Sequence, residues 1–295
     1  MKRRVDTTVT LGDCIENFLM EKEATGRSSK TVDSYRYSLN QFSVANNFLE
    51  GEPVKNWDNK VVFKFIAMLR DKDMSMNSIN HYLRDIRTFL YWCMEQGYLD
   101  RFKVDLVKGQ EEPPKFFQQE EVKKLIKKPS KDAKFVEWRS YMMCMFVYAT
   151  GARASTLVNL RVEDVDFKGK EITYTATKSK KSQVVPLSPK LAAALREYLR
   201  MWEVDTWLFP NRDGSKLTVN ALKHAMARHC ELRGVDKTSI HGLRHSFARE
   251  WVKGGGDVFK LQKMLGHSTL DMTKKYVRLF DSDLKDGFVS PLDKI

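Results

Sequence analysis

VDFKGKEITYTATKSKKSQVVP, residues 165–186, is where the periodicity of this chain changes. Val165-Asp-Phe167, Glu171–Thr177 and Gln183–Pro186 carry the β-branched and aromatic alternation of short strands. Lys168-Gly169-Lys170 and Lys178–Ser182 join them as turns. On either side the apolar spacing is helical. Upstream it predicts helices over Glu120–Lys127 and Glu137–Ala149, and one that follows Arg153 through Leu157 and Leu160. Downstream it predicts helices over Leu191–Met201, Val219–Leu232, Leu243–Val252, Val258–Leu265 and Thr269–Leu279. No strand alternates with a crossover helix, which argues against a doubly wound sheet. The expected class is mainly α with a small antiparallel β-sheet (α+β).

The first hundred residues carry helical stripes only. Leu11, Ile15, Phe18 and Leu19 share one face of a helix begun near Thr10. A second, capped at Ser29, carries Val32, Tyr35, Leu39, Phe42 and Phe48, and Gly51-Glu-Pro53 interrupts the stripe. Trp57 to Leu69 marks a third, and Ser75–Gln96 a fourth that Gly97 stops. Between the stripes, Lys30, Arg36, Arg84 and Arg87 could face DNA or plain solvent. Residues Asp100 to Gln119 break the pattern, and Glu111-Glu-Pro113-Pro114 favours an extended path. The expected organisation is a helical domain over 1–105, a linker over 106–118 and a second domain over 119–295.

The chain of 295 residues has a formal net charge of +13, most of the excess lying after residue 110. Such a surface attracts polyanions, nucleic acid first among them. Cys14, Cys93, Cys144 and Cys230 are scattered without ligand spacing, which fits a reducing compartment, the cytoplasm. Lys2, Arg3 and Arg4 lead into a stretch with Asp and Thr rather than an apolar run, so no signal peptide is expected. The most apolar stretch, Tyr141–Ala149, is too short to span a bilayer.

Five places could carry chemistry. His241-Gly-Leu-Arg244-His245 puts His241 and Arg244 on one face if they share a helical turn, and the fork of Arg244 suits two oxygens of one phosphate. Gly151 lets a helix end, so that Arg153 enters near the start of the next. That position is unfavourable for a cation unless an anion or carboxylate joins it. Lys178, Lys180 and Lys181 sit in a strand turn, where an ammonium could protonate a departing alkoxide or simply be solvated. Leu265-Gly266-His267-Ser268 ends one helix and starts another, with Gly266 as C-cap and Ser268 as a candidate cap, fixing His267 at a junction. Tyr276 comes next; by itself it reads as a core side chain, but beside these cations as a nucleophile. No His-Glu-x-x-His, aspartate triplet or cysteine pair suggests a metal site, and Gly254-Gly-Gly256 lacks the Gly-Lys-Ser/Thr ending of a phosphate loop.

Thr150-Gly-Ala-Arg153, the turn Thr177-Lys178 to Pro186-Leu187, His241-Gly-Leu-Arg244-His245-Ser-Phe-Ala and Leu265-Gly-His267 to Lys275-Tyr276 resemble, in order and spacing, the motifs of the tyrosine recombinases, also called the phage integrase family. The N-terminal helices resemble that family's core-site-binding domain. The resemblance implies that Tyr276 attacks a scissile phosphate to form a 3′-phosphotyrosine. Arg153 and Arg244 would hold the non-bridging oxygens, His241 would assist by proton transfer and phosphate contact, His267 would hydrogen-bond and support the transition state, and Lys178 would be the general acid, with Lys180 and Lys181 as alternatives. It implies a site-specific recombinase or integrase of Xer-like or mobile-element type without an arm-binding domain, needing neither metal nor ATP and no other cofactor. The implied partner is double-stranded DNA with a specific recombination site. The protein would be a monomer when free and a homotetramer on DNA, working through a Holliday junction, with an accessory directionality factor as a further partner and no membrane. The tail Val277–Ile295 would contact a neighbouring protomer or pack on its own domain. A type IB topoisomerase and a non-cleaving DNA-binding derivative are the rival readings. Two positions depart from the family pattern: Thr156 stands where many members have Glu, and Ala152 where Leu is usual.

Overall fold

The computed structural model describes residues 9–48, 54–55, 57–109, 115–175 and 182–280, with residues 278–280 described by backbone alone. The chain forms two compact units, Met1–Glu112 and Pro113–Ile295. It is mainly α-helical with one small antiparallel sheet.

The first unit has four helices: α1 (Leu11–Ala24), α2 (Ser29–Asn46), α3 (Asn59–Asp71) and α4 (Met76–Gln96). Each starts where a short polar side chain satisfies an otherwise unpaired backbone N–H, in turn Thr10, Ser28, Asp58 and Ser75. The second cap is therefore Ser28, one residue before the expected Ser29. Gly97 ends α4 in the left-handed region, as its spacing predicts. Phe18, Phe42, Phe65 and Phe89 are fully buried at the centre. Edge-to-face contacts such as Phe18–Phe89 at 5.4 Å and Phe42–Phe65 at 5.4 Å knit the helices together. Trp57 lies outside α3 and stacks on Phe48 at 4.3 Å, so it seals the α2–α3 connection. Lys30, Arg36 and Arg84 are exposed and Arg87 is half-buried. Residues 49–53 and 110–114, with Gly51-Glu-Pro53 and Glu111-Glu-Pro113-Pro114, lie outside the described residues.

The second unit is built around α6 (Phe135–Thr150), which follows α5 (Gln119–Leu125). Every residue from Trp138 to Val147 in α6 is buried, so this helix is enclosed on all sides instead of presenting one apolar stripe. Packed on it are α8 (Pro189–Trp202), α9 (Val219–Leu232) and α10 (Ile240–Lys253). Then come α11 (Val258–Leu265) and α12 (Leu270–Phe280), which pack on α10 and on each other. The sheet has the order β1 (Val165–Asp166), β2 (Glu171–Tyr174), β3 (Gln183–Pro186), all antiparallel. Ile172 pairs with Val165 on one side and Val185 on the other, and all three are buried. Among the described residues, no helix is long and apolar enough to cross a membrane, and all four cysteines are buried free thiols.

Several boundaries differ from the sequence reading, β2 ending at Tyr174 among them, and three stand out. The helix after Arg153, α7 (Ala154–Leu157), stops before Leu160, whose carbonyl instead accepts from Leu208 N at 2.9 Å. The first strand ends at Asp166 because its Oδ1 accepts from Lys168 N and Gly169 N at 2.8 and 2.7 Å, which turns the chain. Finally, α10 begins at Ile240 rather than Leu243, so His241 is helical.

Gly151 closes α6 with φ 67°, and a Cβ there would approach Phe247 to 2.6 Å and Leu265 to 2.8 Å. Substituting Gly151→Ala therefore adds a strained backbone to a clash with two buried side chains. We expect it to destabilise the second unit by about 2–4 kcal/mol, read as a lowered urea midpoint.

Candidate active site

An α-helix ends with four carbonyls that no intrahelical N–H can reach. At the end of α11, four consecutive carbonyls, of Lys263, Met264, Leu265 and Gly266, each receive a side-chain donor. Gln183 Nε2 donates to Lys263 O at 2.7 Å and Met264 O at 2.9 Å. Arg244 Nη2 donates to Leu265 O at 2.8 Å, and Arg153 Nη2 to Gly266 O at 2.9 Å. Gly266 takes φ 57°, and a Cβ on it would meet Gln183 Oε1 at 2.5 Å and Arg153 Nη1 at 3.2 Å. A side chain there would push away two of the three donors. The sequence thus draws α7, β3 and α10 to one helix end.

Arg244 is only 2% exposed. Its Nη1 donates to Gly151 O at 2.5 Å, just past the C-terminus of α6. Both of its helix-end partners carry partial negative charge, which favours a cation. Burial, and then the charge of Arg153, push its pKa down to about 10, which leaves it protonated at neutral pH. Arg153 is half-buried at the N-cap of α7, its pKa lowered by burial. Among the described residues no carboxylate forms an ion pair with either arginine. Thr156, the position where a Glu would have been expected, is buried and brings no charge. Two cations therefore share a pocket whose charge is not cancelled.

Three histidines line that pocket. His267 Nε2 lies 3.0 Å from Arg244 Nη2, and His267 Nδ1 lies 2.9 Å from Thr273 Oγ1. A guanidinium can only donate, so Nε2 is the acceptor and Nδ1 carries the proton toward Thr273. The ring is thus neutral. Burial, followed by Arg244 and Arg153, pushes its pKa down to about 4. His241 is exposed at the first turn of α10, and its pKa is lowered by desolvation, then by Arg244 and Arg153. One turn on, His245 stands with its ring centroid 4.4 Å from that of His241. Its pKa is pushed down to about 4 by burial, then by His241 and Arg244.

Tyr276, on α12, is 6% exposed. Its Oη lies 2.7 Å from His245 Nδ1, and its ring runs parallel to that of His267 at 6.3 Å. Burial raises its pKa, with Arg244 and Arg153 opposing. Tyr276 is therefore a phenol, held in a cationic pocket.

Of the six residues singled out in the sequence, five (Arg153, His241, Arg244, His267 and Tyr276) come together here. Lys178, with Lys180 and Lys181, lies outside the described residues. The tail residues 281–295 also lie outside them. Among the described residues, no group of three or more His, Cys, Asp or Glu side chains is placed to hold a metal ion. Sequence reasoning passed over Gln183, His245 and Thr273. His245 adjoins Arg244 and lies one turn from His241, a spacing that does signal it. Gln183 and Thr273 carry no such signal, since both act through folded contacts.

The model of the phage integrase family matches residues 115–283, and that of the phage integrase N-terminal SAM-like domain matches residues 15–97. Tyrosine recombinase XerA of Pyrococcus furiosus is 30% identical over 279 residues, covering 93% of this chain and 92% of the relative. A crystal structure of XerH site-specific recombinase bound to palindromic difH substrate superposes with a TM-score of 0.79 at 19% identity, covering 97% of this chain and 98% of that one. A lambda integrase dimer bound to a core site gives 0.72 at 15% identity, covering 90% and 97%.

The neutral histidines make stability depend on pH. His245 and His267 stay unprotonated to about 4 in the folded chain, against an ordinary value of 6.5. Between those values the unfolded chain binds more protons, so stability is full above about pH 6.5 and falls as the pH drops toward 4. The two shifts would amount to about 7 kcal/mol undiminished, and solvent screening at these partly exposed rings brings the expected loss to roughly half of that. Urea midpoints measured across that window should fall for the native chain and fall less for a His245→Asn/His267→Asn double variant.

Proposed function

The chain belongs to the phage integrase family and is a tyrosine-type site-specific DNA recombinase, and from that premise we propose that Tyr276 is its nucleophile. The observation that carries this reading is a buried phenol set beside two arginines whose charge no carboxylate among the described residues cancels.

A phosphodiester is an anion, and its attack by a phenol builds further negative charge on the non-bridging oxygens. Arg244 and Arg153 are already held by carbonyls, so they stabilise that charge without reorganising. His241 and His267 assist at the same oxygens. His267 exchanges its Arg244 contact for the phosphate, and the incoming anion raises its proton affinity. Tyr276 Oη gives up its proton to a pocket histidine and bonds to phosphorus, the bond to the 5′ oxygen breaks, and Lys178 supplies that oxygen with a proton. The product is a 3′-phosphotyrosine and a 5′-hydroxyl. A 5′-hydroxyl from a second cut strand then attacks the phosphotyrosine and frees Tyr276. One phosphoester is exchanged for another, so the bond energy is conserved without ATP.

The reading extends to the assembly. The helices of residues 1–105 hold double-stranded DNA at a specific core site, residues 106–118 act as linker, and residues 119–295 cut. The protein is a monomer when free. Four copies gather on two duplexes and exchange strands through a Holliday junction, and an accessory directionality factor is the further partner the reading allows. The excess positive charge supports DNA binding, and the lambda integrase dimer on a core site supports assembly on it.

Incubating the protein with a library of nicked, random-sequence duplexes and isolating covalent adducts under denaturing conditions tests this. The native chain should capture a defined subset of duplexes. Tyr276→Phe should capture none, and Arg153→Ala should slow capture by roughly 10²–10³-fold. Adducts that persist in Tyr276→Phe would show that another side chain is the nucleophile.

A further inference from the structure

The 2.7 Å contact between His245 Nδ1 and Tyr276 Oη gives the attacking group a partner with no role in the chemistry assigned so far. Taking Tyr276 as the nucleophile, we propose that His245 is a further catalytic residue, which orients the Tyr276 hydroxyl through Nδ1 and accepts its proton as Oη bonds to phosphorus.

Geometry and chemistry point the same way. A buried phenol needs an acceptor, and an imidazole nitrogen is a stronger base than a phenol oxygen, so the favoured bond runs from Tyr276 O–H to His245 Nδ1. The contact distance is already within hydrogen-bond reach for proton transfer. His245 is fixed by its place on α10, whose neighbouring residues Leu243, Arg244, Ser246 and Phe247 are all buried. Tyr276 is fixed by its own burial on α12. The two helices pack directly on each other, so the pair is set by the fold and needs no loop movement.

The charges around His245 make the base responsive to substrate. It faces His241 and Arg244 on its own helix, Tyr276 on α12 and His267 at the α11–α12 junction. With no anion bound, burial and then the neighbouring His241 and Arg244 hold His245 at about 4, and burial keeps Tyr276 a phenol. Transfer is then strongly uphill and the nucleophile stays quiet. A phosphate seated on Arg244 and Arg153 brings negative charge into the pocket and raises the basicity of His245. In the step itself, the Tyr276 O–H bond breaks and its proton passes to His245 Nδ1. The Oη–P bond forms, the bond from phosphorus to the 5′ oxygen breaks, and that oxygen takes a proton from the general acid. On reversal, His245 returns the proton to Tyr276 as the phosphotyrosine is resolved.

The test uses a nicked duplex selected by covalent capture on the native protein, made both with an ordinary scissile phosphate and with a 5′-bridging sulfur, whose thiolate leaves without a proton. His245→Asn keeps an amide where Nδ1 stood but cannot take a proton, and His245→Gln is the second variant; melting and duplex binding check that both fold. Adduct formation should slow roughly 10²–10⁴-fold in both variants. The 5′-sulfur should not restore them, whereas it should restore Lys178→Ala. The rate in His245→Asn should also rise with pH beyond the range where the native rate levels. Independently of any variant, ¹⁵N-histidine spectra of the native chain should show His245 protonated on Nε2 and bare on Nδ1. Native-rate cleavage by His245→Asn, rescue of it by the 5′-sulfur, or a proton on Nδ1 would overturn the inference while leaving Tyr276 as nucleophile. Failure of the native protein to capture any duplex would overturn the nucleophile reading, and this inference with it.

Discussion

The end of α11 is the constraint on which the site depends. A short helix ends on carbonyls that its own turns cannot fully pair, and here four in a row are met by side-chain donors. Gln183 answers the first two, Arg244 the third and Arg153 the fourth. These donors come from β3, α10 and the start of α7, elements far apart in the chain. One helix end therefore sets the position of the strand hairpin, the histidine-bearing helix and both arginines. Gly266 permits this, because any side chain there would occupy the space of Gln183 and Arg153.

How the arginines are held matters as much as where. Carbonyls of helix ends orient a guanidinium and lessen the cost of burying it, yet carry no full charge to cancel it. A carboxylate in the same place would hold the arginines equally well and leave little attraction for a phosphate. The retained charge also accounts for the histidines and the tyrosine. His245 and His267 are pressed toward neutrality by burial and by the cations, and His267 accepts from Arg244 because it has no proton on that nitrogen. The pocket is thus a set of neutral groups around two fixed positive charges. An anion of the right shape completes it and changes the proton affinities of everything it touches.

Much of this was legible in the sequence. The period change at residues 165–186 marked the small sheet between helices, and polar caps and glycines marked several helix ends within a residue or two. Five of the site's members were recognisable because the motifs that carry them resemble, in order and spacing, those of a known family. The less legible parts depend on contacts between distant segments. Asp166 ends its strand by capping a turn, and α7 is cut short because Leu160 pairs with Leu208 instead of continuing the helix. Gln183 is an ordinary strand residue until the end of α11 is beside it. His245 stands next to Arg244 in the chain, but only the packing of α10 on α12 turns that neighbour into the partner of Tyr276. Sequence spacing specified which residues share a helical face; it did not specify which face meets which.

The central claim is that the pocket on the end of α11 directs Tyr276 at a DNA phosphate. The most direct measurement is mass spectrometry of the protein–DNA adduct after proteolysis and nuclease digestion. The account predicts one modified peptide, carrying a nucleotide joined through its 3′-phosphate to the Tyr276 oxygen. A nucleotide on any other side chain, or one joined to Tyr276 through its 5′-phosphate, would contradict it.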